Sequence, residues 1–315
     1  MLNKILIAVF SLGVLLTITG LVINGGDFKG IVNAFSSDDD YTFVEKVGDE
    51  EVKEIKIKIN NGNVVFHIYD EIGYKLEYYE SEYDKKIVSM KDNVLTIDNK
   101  KDLKYRFFNI TFTTSKVATF NVYLPQSFTG KATIETASGN ISISDFHFTT
   151  LNIQVSSGNV TLNEVEVDNE SNIKLSSGNI DLSKFDANSL NIRSSSGNID
   201  IKEANILTEV DIKSSSGFTK VYASKLNSIK VRSSSGFVHI IDSECDDVDL
   251  ELSSGNVKVI LYGDVNEYQV DARVTSGKIY YQGKRIDGSI YNPSGSKALR
   301  IKSSSGNIEL DFKEN

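Results

Sequence analysis

Residues 171–182 read SNIKLSSGNIDL, and residues 190–201 read LNIRSSSGNIDI. Around each Ser-Gly-Asn centre apolar residues alternate with polar ones, and a period of two marks a strand. Two and four residues after the glycines stand Ile180 and Leu182, then Ile199 and Ile201; five and seven before Gly197 stand Ile192 and Leu190. The phrase reads as strand, tight corner, strand.

The phrase recurs outward in both directions. Its glycines are Gly139, Gly158, Gly178, Gly197, Gly217, Gly236, Gly255, Gly277 and Gly306, at steps of 19, 20, 19, 20, 19, 19, 22 and 29. Each except Gly139 follows Ser-Ser or Thr-Ser, and six of the nine precede Asn. A fixed period near twenty with strand alternation predicts an all-β chain. It is a parallel β-solenoid of about 19–20 residues per rung, each rung closed by a second, looser corner. Equivalent residues then stack about 4.8 Å apart, so eight steps make a rod of about 38 Å. Glycine adopts positive φ without a Cβ clash, and stacked asparagines can hydrogen-bond from rung to rung. The repeated serines read as a turn ladder and not as nucleophiles, because no general base recurs beside them.

The phrase also appears at Gly62, between Ile55, Ile57, Ile59 and Val64, Phe66. Strand-like runs follow at 74–80, 93–99, 106–112 and 117–125, so residues 51–130 read as an irregular β region capping a solenoid of residues 131–315. The charged DFKEN at 311–315 is expected to blunt the other edge.

Four residues before each corner glycine the side chain points outward. This column includes Lys174, Arg193, Lys213 and Arg232, flanked by Gln154 and Glu251. Like charges one rung apart repel unless something screens them. One reading is a stripe that binds an anionic envelope polymer or lipid headgroup. The other is a solvated face balanced by Asp211, Asp249 and Asp271, with Asp181 and Asp200 beyond the corner. Phe218 and Phe237 replace the corner Asn in adjacent rungs, as an aromatic ladder or as a contact for a sugar. Ser194, Ser214 and Ser233 occupy a column held elsewhere by Val155, Leu175 and Leu252. Buried hydroxyls need partners, so these rungs are expected to turn a residue sooner. The insert Gln282–Lys297 is the longest excursion from the repeat.

Residues Ile5 to Ile23 carry no charge. As a helix they would span the bilayer core, and Lys4 before them and Asp38–Asp40 after them place the N-terminus inside. Residues 1–26 are thus expected to be a cytoplasmic tip and transmembrane anchor, and 27–50 a juxtamembrane linker. With no hydrophobic tail in DFKEN, this helix is the expected tether. A cleaved signal peptide is the rival, and both readings export the rest.

The 315 residues carry 34 basic and 43 acidic side chains, a net charge of −9, which excludes a generally basic nucleic-acid binder. Only two prolines occur, with 22 glycines, as suits strands joined by glycine corners. One cysteine, Cys245, excludes an internal disulfide and any multi-cysteine metal site; its acidic neighbours disfavour a nucleophile. His67, His147 and His239 show no metal-ligand spacing, so no metal or cofactor is expected. Asp181 and Asp200, on neighbouring rungs, are an acid pair or calcium site that nothing in the sequence completes.

The anchor-like N-terminus, the NVYLP at 121–125 and the SSGNI phrases resemble a bacterial family of adhesin-like proteins of unknown function, common in low-GC Gram-positive bacteria. Some of its members are encoded beside Lia-type envelope-stress systems. The resemblance covers residues 50–315 and implies a β-solenoid on the outer face of the membrane. It supplies no catalytic residues. The expectation is a non-enzymatic surface module meeting wall polymer or an envelope protein. An accessory of envelope-stress signalling is the alternative, and a β-helix carbohydrate-active enzyme a lesser one.

Overall fold

The computed structural model describes residues 41–81, 84–99 and 119–314, and all regular structure in them is strand apart from the single turn of 3-10 helix Val265–Glu267. The anchor expected at Ile5–Ile23 and the run at 106–112 lie outside the described residues.

The repeat closes into a coil of parallel rungs. Ile153 pairs with Ile173, Ile173 with Ile192, Ile192 with Ile212, and Ile212 with Val231, making one aliphatic column down the core. None of the five is more than 2% exposed. Opposite the corner, Val160, Ile180 and Ile199 continue a second column. Because every rung buries the same positions, each aliphatic side chain finds a near-identical neighbour above and below, the packing that makes repeat stacks cohere.

The corner glycines sit at φ between 121° and 146°. A Cβ added to any of them from Gly139 onward would lie 1.6–2.0 Å from the carbonyl oxygen of the glycine on the next rung. Conformation and space both demand glycine there. Asparagines finish the corner: the backbone N–H of Asn159 donates to Oδ1 of Asn140 at 2.9 Å, Asn179 to Asn159 at 2.9 Å, and Asn198 to Asn179 at 3.1 Å. The ladder is thus mostly side chain to backbone. The second corner, six residues after the glycine, is left-handed too, yet holds no glycine. Asp145, Glu164, Lys184, Glu203, Ala223 and Asp242 all have φ between 49° and 63°.

The three serines do not shorten their rungs. Leu175 pairs with Ser194, Ser194 with Ser214 and Ser214 with Ser233 in the unbroken register. The hydroxyls are satisfied within the corner instead. Ser214 Oγ donates to Ser233 Oγ at 3.1 Å, and Ser233 Oγ to the Ser235 carbonyl at 3.4 Å. Ser303, also in this column, reaches the Ser305 carbonyl in the same way at 3.0 Å. Ser194 Oγ alone of the three has no partner among the described residues.

The ends depart from sequence order. The strand Lys297–Ser305 lies between Lys225–Ser254 and Tyr268–Ser276, and Ile308–Lys313 lies between Val257–Tyr262 and Ile279–Tyr281. The C-terminal residues therefore do not blunt the edge, as DFKEN was expected to. The insert Gln282–Lys297 does, because Lys284–Ile286 and Ser289–Asn292 pair antiparallel on the outermost strands and stop the parallel stack. At the N-terminal end Glu54–Asn61 and Asn63–Tyr69 form a full rung on Gly139's rung. Val94–Asn99 and Thr119–Pro125 add one more layer, covered by antiparallel Lys86–Lys91 and Tyr74–Glu80. Thr42–Gly48, read as linker, is a strand antiparallel to Tyr74–Glu80. Its β-branched and aromatic TFVEKV run gives it both strand propensity and a partner edge.

Candidate functional site

The coil brings the four expected cations into one line. Lys174 pairs in register with Arg193, Arg193 with Lys213, and Lys213 with Arg232. Gln154 precedes them and Glu251 follows, with its carboxylate 2.9 Å from Arg232 Nε. Their partners divide them into two kinds. Arg193 meets Asp211 at 2.8 Å and Arg232 meets Asp249 at 2.6 Å. Each guanidinium also donates to two backbone carbonyls: Ile192 and Asp211 for Arg193, Val231 and Asp249 for Arg232. Lys213 reaches only 4.0 Å from the carboxylate that Arg193 already holds, and Lys174 has no ion-pair partner among the described residues. The balancing carboxylates expected for this face are thus met at the two arginines, by Asp211 and Asp249. The arginines are neutralised and fixed, Lys213 is weakly engaged, and Lys174 is without an ion-pair partner among the described residues.

Shallow grooves flank the column. One of about 460 Å³ runs beside Lys174, Arg193 and Lys213 over Ser176, Ser195 and Ser215. The other, about 630 Å³, is floored by Asn152, Asn172 and Asn191, with Asn172 Nδ2 donating to Asn152 Oδ1 at 3.0 Å. Cations, hydroxyls and amides thus share one open face, with the carboxylates of Glu135 and Glu170 on the second groove's lining.

Phe218 and Phe237 stand in adjacent corners with ring centroids 6.2 Å apart, tilted by 49°. Phe218 is pinned edge-on to His239 at 4.8 Å, while Phe237 remains 47% exposed. They interrupt the asparagine ladder, since neither offers an acceptor to the next rung. Burial, then Lys258, holds the His239 imidazole below its ordinary pKa.

Asp181 and Asp200 do pair in register. Burial first, and Asp200 second, raise the Asp181 carboxyl above the usual range. Lys220 continues the column after Asp200. Cys245 is buried at 2% exposure, and burial pushes its thiol up to about 12.

One constellation was missed in sequence. His147 and Glu166 face each other across one rung, and His147 Nε2 lies 2.7 Å from Asp168 Oδ1. Ligand atoms of the three lie within 4.8 Å of one another, so they could be drawn onto a divalent cation. Their 19-residue separation is one turn of the coil, a spacing that becomes meaningful only once the rung is known. A cleft of about 760 Å³ lies at the N-terminal end beside Tyr69, Ile72 and Phe128, with Glu51, Asp70 and Glu71 among its lining residues.

The model of one protein family, Toastrack DUF4097, matches residues 52–311. The chain belongs to that family. The match begins at the first rung and ends in the C-terminal strand, so the Toastrack family covers the whole coil and supports the resemblance read from the SSGNI phrases. No curated protein matches the chain. Among solved structures, a "putative adhesin" from Bacteroides fragilis aligns at 14% identity and TM-score 0.42, over 86% of this chain and 97% of that one. A "putative lipid binding protein" from Parabacteroides distasonis aligns at 13% identity and TM-score 0.41, over 87% and 98%. A "putative adhesin" from Parabacteroides merdae aligns at 10% identity and TM-score 0.36, again over 87% and 98%.

Proposed function

We propose that this Toastrack protein is a non-enzymatic binding module of the bacterial envelope. It is held outside the cytoplasmic membrane by the apolar segment Ile5–Ile23 and takes an anionic polymer along the Lys174–Arg232 face. The observation that carries this reading is the unbroken cation column on a chain of net charge −9, open to grooves on both sides. A column along the coil axis offers one cation per rung, about 4.8 Å apart, to a linear polymer lying parallel to the rod. The arginines, held by Asp211, Asp249 and backbone carbonyls, fix the line of the column, and Lys174 and the weakly engaged Lys213 supply the charge the polymer meets. Such binding releases counterions and weakens with salt.

Sedimentation with isolated cell walls tests it. Lys174→Gln with Lys213→Gln leaves both arginine–aspartate pairs in place and is expected to lower wall binding at low salt. The fourfold reversal Lys174→Glu, Arg193→Glu, Lys213→Glu and Arg232→Glu should abolish it. Wall binding that is unchanged in both variants, or insensitive to salt, would reject the polymer-binding face.

A further inference from the structure

Large apolar side chains are seldom exposed in clusters on a soluble rod. Nine are exposed among the described residues; six lie in the N-terminal cap, and five of these, Tyr41, Phe43, Val47, Ile72 and Tyr79, belong to or adjoin the strand pair Thr42–Gly48 and Tyr74–Glu80, the sixth being Ile87 on Lys86–Lys91. Phe43 and Tyr79 are register partners on the two antiparallel cap strands, their rings 5.5 Å apart and edge to face. Val47 shares the outer face of the first strand with Phe43 and is 59% exposed. Ile72, 80% exposed, sits in the turn before the second strand, where Gly73 packs against Gly48. The face continues inward through Tyr123, which carries Lys75 above its ring at 4.0 Å and stacks on His67 at 4.6 Å. Lys75 is neutralised by Glu77 at 2.8 Å, and Glu45 stands between Phe43 and Val47. This mixture of phenyl, phenol and aliphatic groups with few free cations is what the lipid–water interface accepts.

We infer that this cap face rests on the interface of the bilayer that holds the chain. The inference depends on the anchor reading of Ile5–Ile23. Seventeen residues, 24–40, separate that segment from Tyr41, and they span no more than about 60 Å whatever their conformation. They join the body directly at the strand bearing Phe43. The tether therefore delivers this face, ahead of any other, to the membrane at high effective concentration, where a weak contact suffices. Glu45 and the acidic residues of the nearby cleft select a zwitterionic surface over an anionic one.

The chain contains no tryptophan, so single replacements report depth without background. Full-length protein carrying Phe43→Trp is reconstituted into phosphatidylcholine vesicles, with and without brominated acyl chains, beside a Phe237→Trp control on mid-rod. Flotation of the vesicles scores the anchor separately. The expected result is co-flotation of both proteins, with blue-shifted, bromine-quenched emission from the Phe43→Trp reporter only. Co-flotation with equal quenching of the two reporters would overturn the docking and leave the anchor standing. Failure to float would overturn both. Replacing part of the phosphatidylcholine with phosphatidylglycerol should reduce the quenching; an increase would overturn the zwitterionic preference.

Discussion

Gly306 stacks on Gly255, with Gly277 on its far side, although Gly277 comes earlier in the chain. The last rung is thus inserted between two rungs that precede it. Strands near a C-terminus are often the easiest part of a repeat protein to lose, but here Leu299, Ile301, Ile308 and Leu310 are fully buried with neighbours above and below.

Truncation after residue 296 should accordingly cost far more than removal of an edge. Four buried aliphatic side chains represent about 6–12 kcal/mol of transfer free energy. Limited proteolysis of the truncated chain should open the region beyond Tyr262 while the rungs from Gly139 to Gly236 stay protected. Wild-type resistance throughout would contradict the inserted rung.

The corner glycines should be intolerant in a way that other glycines are not. Gly178 has φ 131°, and a Cβ there would lie 1.8 Å from the Gly158 carbonyl oxygen. Gly283 has φ 71° and nothing within 4 Å. Urea unfolding should show Gly178→Ala losing about 3 kcal/mol or more, and Gly283→Ala about 1 kcal/mol.

The asparagine ladder gives a paired prediction. Asn179→Ala removes the acceptor for the Asn198 N–H and should cost about 1 kcal/mol. Phe218→Asn with Phe237→Asn restores the ladder where it is broken and should gain a similar amount. If the double replacement also weakens binding to envelope fractions, the two rings have been kept for contact at the expense of stability.

Ser194 is a buried serine whose hydroxyl finds no partner among the described residues, in a column where Val155 and Leu175 precede it. Ser194→Val should therefore stabilise the coil by about 1 kcal/mol. Ser233→Val, which deletes the donor to the Ser235 carbonyl and the acceptor of Ser214, should not. A higher denaturation midpoint for the second variant than for the first would refute this account of the column.

Cys245 sets an alkaline limit. Its thiol is pushed up to about 12 in the fold, above its unfolded value, because burial disfavours the thiolate. The raised value means that the unfolded chain releases its proton first as pH climbs. The stabilisation is complete below about pH 9 and declines toward pH 12, with a slope of at most about 1.4 kcal/mol per pH unit. Tyr78 and Tyr268, also raised to about 12 by burial, steepen the decline above pH 10. Cys245→Ala should flatten the part of the slope between pH 9 and 10, and native protein should resist thiol reagents that label it quickly in urea.

Much of the coil was legible because its constraints are local and repeated. Ile192 and Ile199 alternate around Gly197 as they do around every corner, and period two together with a 19-residue step leaves little room for another fold. The left-handed second corner was not legible. Asp145, Glu164, Lys184, Glu203, Ala223 and Asp242 are of four residue types and include no glycine or asparagine, since the register of the flanking strands, and not intrinsic preference, imposes the positive φ. The cation column was legible as a column, but its split into fixed arginines and less engaged lysines was not. That depends on Asp211 and Asp249 sitting one rung above the arginine they bind.

By itself the sequence determined the rung: its length, its inward aliphatic residues and the glycine at its tight corner, each a consequence of backbone sterics and alternation within twenty residues. Tertiary structure alone decided the order of the rungs, the closure of both ends by antiparallel strands, and the meeting of His147 with Asp168. These rest on pairings between segments whose separation along the chain carries no local signal, so only the assembled coil, by burying one candidate edge against another, selects among them.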